Sequence, residues 1–325
     1  MNSRRREFLR MVAGAVASPV VPRVAWAQTY PSRPVRLVVP FGSAGATDIT
    51  SRLMGQWLSD RTGQQFVIDN RPGAGGSIGT EAVVRAAPDG YTVVMAGQFN
   101  ALNAALYDKL SFNFLTDIVP VAGIIRFPNI LIVNPSVPAK TASEFIAYAK
   151  SNPGKINLAS SGVGSSPHIT GELFRMMAGV NLVHVPYRSI AAAMTDLISG
   201  EVQLMSVSTA ASGDYVKAGT LRALAVTSVV RLEDYPDIPT VAETLPGYEA
   251  SSWYGLAVPK GTPEAIIGRL NQEVNAAFAD PKMRARFREL GGIAMPGSPA
   301  DFARFMTEEA DKWGKVIRAA NIKDK

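Results

Sequence analysis

Short aliphatic and β-branched runs alternate with longer amphipathic stretches along most of this chain. Runs bounded by Gly, Pro, Asn or Asp predict strands over 36–39, 65–69, 92–96, 119–124, 129–133, 157–160, 182–185, 202–206, 221–226 and 253–258. Between them, apolar positions at three- and four-residue intervals predict helices over 46–61, 77–87, 142–150, 168–177 and 190–199. Thr141-Ala142-Ser143-Glu144 has the form of a capping box, in which hydroxyl and carboxylate each satisfy a free backbone N–H of the first turn. Asp89-Gly90 and Pro153-Gly154 read as turns. Strand and helix in alternation predict an α/β fold. After Pro259 the pattern changes to helices over 263–278, 281–290 and 299–320, with Pro263 suited to a first helical position. No Ser/Gly/Pro-rich linker divides the chain. Two domains would therefore require the chain to cross between them inside ordered structure, and the apolar stretches 127–133 and 250–256 are the candidate crossings.

The N-terminus reads as an address. Arg5-Arg6-Glu7-Phe8-Leu9-Arg10 follows the twin-arginine export pattern, a weakly apolar stretch runs from Met11 to Val21, and Ala25-Trp26-Ala27 forms an A-x-A cleavage site. The apolar stretch is too short to span a bilayer. The chain is expected to be exported, and its mature form to begin near Gln28. Residues 1–27 hold five Arg and one Glu; taking them from the 33 basic and 27 acidic residues leaves 28 and 26, a balance of +2. No Lys/Arg block remains to suggest nucleic acid or a membrane surface. The chain has no cysteine and two histidines, His168 and His184, which excludes disulfides and thiolate sites and leaves no spacing for a zinc or iron centre. No metal and no cofactor is expected.

The candidate chemistry lies at the ends of strands. Residues 35–48 read as a strand that stops at Pro40, passes through Phe41, Gly42, Ser43, Ala44 and Gly45, and enters a helix at Ala46 followed by Thr47 and Asp48. First-turn N–H groups lack partners and carry partial positive charge, so this bulk-free loop reads as a cradle for a carboxylate or phosphate. Other strands also end in small polar residues: Gly97-Gln98-Phe99-Asn100, Ser160-Ser161-Gly162-Val163-Gly164-Ser165-Ser166, Pro186-Tyr187-Arg188-Ser189 and Ser206-Val207-Ser208-Thr209. In α/β sheets, ligands sit outside the carboxyl ends of strands. Arg188 reads either as a bidentate carboxylate contact or as a solvated or structurally paired cation. Asp48 reads as ordering its own loop, since facing an anion it would repel it. His168, after Pro167, reads as a ligand donor or a cap. Phe41 and Phe99 read as apolar walls or as core.

Two enzyme motifs are weighed against this. Gly75-Gly76-Ser77-Ile78-Gly79 matches the G-x-S-x-G elbow of serine hydrolases, but that triad wants its histidine late in the chain and 141 residues follow His184. The loop Gly42–Gly45 is not G-x-G-x-x-G, and no Walker lysine follows it.

Seven ordered motifs resemble the Bug-type substrate-binding proteins of tripartite tricarboxylate transporters. They are the Pro40–Asp48 loop; Asn70-Arg71-Pro72-Gly73-Ala74-Gly75-Gly76; Ala87-Pro88-Asp89-Gly90-Tyr91; Val133-Asn134-Pro135; Val183-His184-Val185-Pro186-Tyr187; Leu221-Arg222-Ala223-Leu224-Ala225-Val226-Thr227; and Asp237-Ile238-Pro239-Thr240. The match covers about Tyr30 to Lys323. It implies a two-domain periplasmic binding protein of α/β class, type II-like, with a ligand cleft between the lobes and two crossover segments. Domain 1 would be residues 28–127 plus 252–325, and domain 2 residues 128–251. It implies a non-enzymatic, monomeric receptor that binds a mono-, di- or tricarboxylate and delivers it to integral-membrane permease subunits; presentation of the ligand to a membrane sensor is the alternative use. The loops matching Phe41–Asp48 and Ser161–Ser166 would hold the carboxylate, with Gln98, His168, Tyr187, Arg188, Ser206 and Ser208 as further site candidates. Two departures stand out. Ser43-Ala44-Gly45-Ala46 replaces the paired or tripled glycine common in the family loop, and Ser206-Val207-Ser208-Thr209 stands where many relatives carry Phe-Asp or Phe-Asn.

Overall fold

The alternation of strand and helix is realised as one ten-stranded sheet covered on both faces. The computed structural model describes residues 30–43, 45–107 and 110–322. The leader expected over 1–27, its cleavage point near Ala27 and the cradle residue Ala44 lie outside them. The strands are β1 (Val35–Val39), β2 (Phe66–Asn70), β3 (Thr92–Gly97), β4 (Ile118–Val133), β5 (Ile156–Ser160), β6 (Leu182–Pro186), β7 (Leu204–Ser208), β8 (Arg222–Val226), β9 (Ser251–Pro259) and β10 (Ile293–Ala294). Their order is β2-β1-β3-β9-β4-β7-β5-β6, with β8 and β10 also paired to β4.

β4 divides this sheet. Residues 118–128 pair with β9, residues 129–133 with β7 and residues 130–133 with β8, all antiparallel. One group of strands is β2-β1-β3-β9-β4; the other is β6-β5-β7-β4-β8. The reading of two strands at 119–124 and 129–133 is corrected to one continuous strand. Pro120 and Pro128 look like breakers, but Pro120 sits at a register irregularity and Pro128 where β4 changes partners, so neither removes a needed ladder bond. Helices Gln98–Leu106, Phe114–Asp117 and Thr209–Lys217, and the two-residue β10, are further elements that the pattern did not predict.

Side-chain alternation explains the layers. In β1 and β3, Val35, Leu37, Val93 and Met95 face Met54, Leu58, Leu270 and Val274, whereas Val38, Val94 and Ala96 face the other way, toward the cluster holding Trp253, Phe302 and Trp313. Burying each such side chain contributes roughly 1.5–3 kcal/mol. The C-terminal helix, Pro299–Ala319, starts at a capping box between Ser298 and Asp301 and buries Phe302, Met306, Glu309, Trp313 and Ile317 along one face. The Glu309 carboxylate accepts hydrogen bonds from Trp253 Nε1 at 3.0 Å and Trp313 Nε1 at 2.8 Å and pairs with Lys312. This fixes β9 beside Ser252 and Tyr254, which belong to the site below.

Candidate functional site

Of the helices that follow strands without a side chain capping them, three share one hollow. The Ala46–Thr62 helix follows β1, the Ser166–Ala178 helix follows β5, and the Thr209–Lys217 helix follows β7. Their N-caps, Gly45, Ser165 and Ser208, are extended and none accepts a first-turn N–H through its side chain. Elsewhere, Thr141, Ser189, Asp280 and Ser298 cap their helices in the usual way. The three uncapped starts open on one cavity of about 290 Å³. Ala46, Ile49 and Thr50 line it from the first strand group, Ser166, Pro167, Val207, Ser208 and Ala210 from the second, and Phe127, Asn129, Ser252 and Tyr254 from β4 and β9. Among the described residues, no Lys, Arg, His, Asp or Glu lines it.

A chain of polar side chains crosses the floor. Ser252 Oγ lies 3.1 Å from both Gln98 Oε1 and Ser166 Oγ, and Asn129 Nδ2 donates to Ser166 Oγ at 3.3 Å. Gln98 Nε2 and Thr50 Oγ1 are buried and have no hydrogen-bond partner among the described residues. A buried donor left unpaired is costly, so such atoms favour an acceptor in the cavity. Phe127 and Tyr254 meet edge to face, with ring centroids 5.6 Å apart, and supply an apolar wall. Burial raises the Tyr254 phenol pKa above the ordinary tyrosine value, and a hydrogen bond with Thr47 partly offsets this.

The loop residues chosen from sequence are mostly supports. Asp48 is 2% exposed; its carboxylate accepts from Arg52 Nε at 2.8 Å and from Asn70 Nδ2 at 2.9 Å, and Asn70 also donates to the Phe41 carbonyl. The Asp48 carboxylate is therefore turned into its own loop, away from the cavity. The Phe41 ring packs on Phe99, with centroids 4.8 Å apart. Gly42, Ser43 and Gly45 are exposed, and the cavity lining starts with Ala46. In the second group, the buried His168 Nδ1 accepts the Gly164 N–H at 3.0 Å, and its ring stacks on His184 at 3.7 Å. That bond also occupies the Gly164 amide expected to face the ligand. Burial, then His184 and Arg175, push the His168 pKa down to about 4, and burial lowers that of His184, so both are neutral near pH 7. His184 Nε2 meets Ser160 Oγ at 2.7 Å.

The other residues chosen from sequence have these surroundings. Ser165 Oγ donates to the Gly162 carbonyl at 2.7 Å, and Ser161 is half-buried. Tyr187 Oη donates to Asp196 at 2.7 Å, and its phenol is pushed up to about 12 by burial and then by Asp196. Arg188 is exposed and makes no ion pair among the described residues. Ser206 is wholly buried inside β7, because that strand runs two residues later than the apolar pattern implied. Gln98 opens a helix instead of lying in a loop. Of the residues chosen from sequence, Ser166 and Ser208 line the cavity and Gln98 reaches it through Ser252. Thr50, Phe127, Asn129, Ser252 and Tyr254 were missed. The signal that would have found the last four is alternation along the two crossing strands, which turns 127 and 129, and 252 and 254, to one face.

Ser77 is buried, and its Oγ accepts from Asn103 Nδ2 at 3.0 Å. A Cβ at Gly79 would come within 2.8 Å of Pro40 Cα, and one at Gly76 within 2.8 Å of the Phe99 ring. These glycines allow close packing, and the elbow motif is not a nucleophile site.

Among known families, residues 50–322 match the one described as "Tripartite tricarboxylate transporter family receptor". A Pseudomonas sp. protein described as "UPF0065 protein in tcbD-tcbE intergenic region" is 36% identical over 97% of this chain and 94% of its own length. Protein BugT of Bordetella pertussis is 33% identical over 96% of this chain and 95% of its own. The R. palustris protein Rpa4515, solved with adipate, is 38% identical, covers 90% of this chain and 99% of its own, and superposes with a TM-score of 0.74. A TctC solute-binding protein from Polaromonas, solved with no ligand, is 27% identical at 90% and 100% coverage, with a TM-score of 0.82.

Proposed function

The chain belongs to the tripartite tricarboxylate transporter receptor family of periplasmic solute-binding proteins, and from that premise we propose that it takes a small organic carboxylate into the cleft between its strand groups. It is a solute receptor and not an enzyme. The observation that carries the proposal is the meeting of uncapped helix starts from both groups, at Ala46 and Ser166, on one cavity that no charged side chain among the described residues lines. Helix N-termini hold anions through free N–H groups and aligned dipoles. Charge-assisted hydrogen bonds to a carboxylate are about twice as strong as neutral ones. The apolar wall of Phe127, Tyr254 and Val207 suits the carbon body of such an acid. The adipate found in the R. palustris relative supports this chemistry.

The lobes divide at 127/128 and 251/252, and binding draws them together. Ligand contacts with both helix starts exist only in the closed form, and that difference in affinity drives closure. The better superposition on the ligand-free Polaromonas protein, despite its lower identity, supports an open setting of the lobes here. The loaded receptor then passes its ligand to a membrane permease. The leader over 1–27 exports it and is removed near Ala27, which places the mature chain in the periplasm; no helix among the described residues is long and apolar enough to cross a membrane.

The test is a thermal-shift screen of the mature chain against mono-, di- and tricarboxylates, aromatic acids and neutral sugars. An acid at a hundredfold excess over its Kd adds about 2.7 kcal/mol, or roughly 4 °C for a chain of this size. Stabilisation by a neutral sugar with no response to any acid overturns the proposal.

A further inference from the structure

The crossing strands have a second hollow on their other face. Successive strand residues point to opposite sides of a sheet. Phe127 and Asn129 of β4, with Ser252 and Tyr254 of β9, face the ligand cleft. Arg126 and Ser251, their sequence neighbours, face a cavity of about 430 Å³ behind the sheet. Its walls come from both lobes: Val229 and Val230 follow β8, and Met295 and Phe305 belong to the segment after β10 and the C-terminal helix.

Between the two hollows, Thr227 ties the crossing strands together. Thr227 is wholly buried. Its Oγ1 accepts the Asn129 N–H at 2.7 Å and lies 2.5 Å from the Ala250 carbonyl, while its backbone N–H donates to the Asn129 carbonyl and its own carbonyl accepts from Ala250 N–H. Asn129 and Ala250 stand where β4 and the chain before β9 pass between the lobes. A rotation of rigid lobes about this knot has a hollow on each side of its axis. Motion that narrows one must widen the other.

We propose that the rear hollow is the counterweight of the ligand cleft: its fill sets the balance between open and closed lobes, and so the affinity at the front. The proposal rests on the hinged-receptor reading above. Val229 and Val230 are the residues placed to set this balance. They are 59% and 57% exposed, large apolar side chains standing at the wall of a hollow they do not fill. Apparent affinity scales with the fraction of molecules already in the binding-competent form, so rear bulk that disfavours the open setting raises it.

The experiment compares the mature wild-type chain with Val230→Trp and, separately, Val229→Trp. Titration calorimetry uses whichever of adipate, malate or citrate gives the largest thermal shift with wild type. Small-angle scattering gives the ligand-free radius of gyration. Both positions are exposed enough for a folded variant, and circular dichroism checks this. The expected result is a Kd lower by about fivefold in at least one variant, with a smaller ligand-free radius. Folded variants with wild-type radius and unchanged or weaker binding overturn the inference. If wild type binds none of the acids, the carboxylate reading fails instead, and the ligand-free radius still decides whether rear bulk moves the lobes.

Discussion

The two loop-to-helix junctions that face each other across the cleft, residues 41–48 and 160–168, do the same work with different chemistry. In the first, Asp48 and Asn70 hold the loop: the carboxylate takes hydrogen bonds from Arg52 and Asn70, and the Asn70 amide reaches on to the Phe41 carbonyl. In the second, a stacked pair of histidines does so, with His168 accepting the Gly164 N–H and His184 paired to Ser160. Both leave the first N–H groups of the following helix without a side-chain cap. The comparison teaches that the polar side chains nearest an anion cradle need not touch the anion. Here they turn inward and fix the backbone to which the proposal assigns the ligand.

The largest expected effect separates the two supports by pH. The folded pKa of His168 lies below its unfolded value of 6.5, so the stability it contributes is complete above that pH and is lost as the pH falls toward about 4. A shift of this size corresponds to roughly 3 kcal/mol, and His184 adds in the same direction. Urea unfolding of wild type between pH 7 and 4 should show that loss, and His168→Gln, which keeps an acceptor without titrating, should show a flatter profile. Equal slopes would mean that the histidine pair is not what holds the second loop.

A smaller effect isolates the first support. Asp48→Ala removes the buried carboxylate that accepts from both Asn70 and Arg52, and should cost about 2 kcal/mol in chemical denaturation. The freed loop must then be ordered by the ligand, so affinity should drop about tenfold. Unchanged affinity would show that the 41–48 loop does not need this brace.

The smallest effect marks a residue outside the pair. Tyr187→Phe removes the hydrogen bond to Asp196 and should lower stability by about 1 kcal/mol with no change in Kd. A large loss of affinity would return Tyr187 to the ligand site.

Much of the fold was legible in the sequence, because strand runs and amphipathic stretches repeat at their own periods. The misses have physical causes. Pro120 and Pro128 hid the continuity of β4, since prolines at an irregularity and at a change of partner cost no ladder bond. The helices after β3 and β7 begin in small polar residues, Gly97-Gln98 and Ser208-Thr209, that also suit loops. At the site, sequence located both helix starts, but not which neighbouring side chains turn away. That depends on partners far along the chain, such as Asn70 for Asp48 and His184 for His168. The cavity walls from β4 and β9 were missed for a similar reason: residues 127–129 and 252–254 are brought together only by strand pairing.

The central claim is that free amides of two opposing helix starts jointly hold an acid group. The most direct measurement is a crystal structure of the mature chain with the carboxylate that stabilises it most. The account predicts carboxylate oxygens within hydrogen-bond distance, directly or through one water, of N–H groups at the start of both the Ala46 and the Ser166 helices. A carboxylate held by Arg188, or touching only one lobe, would contradict it.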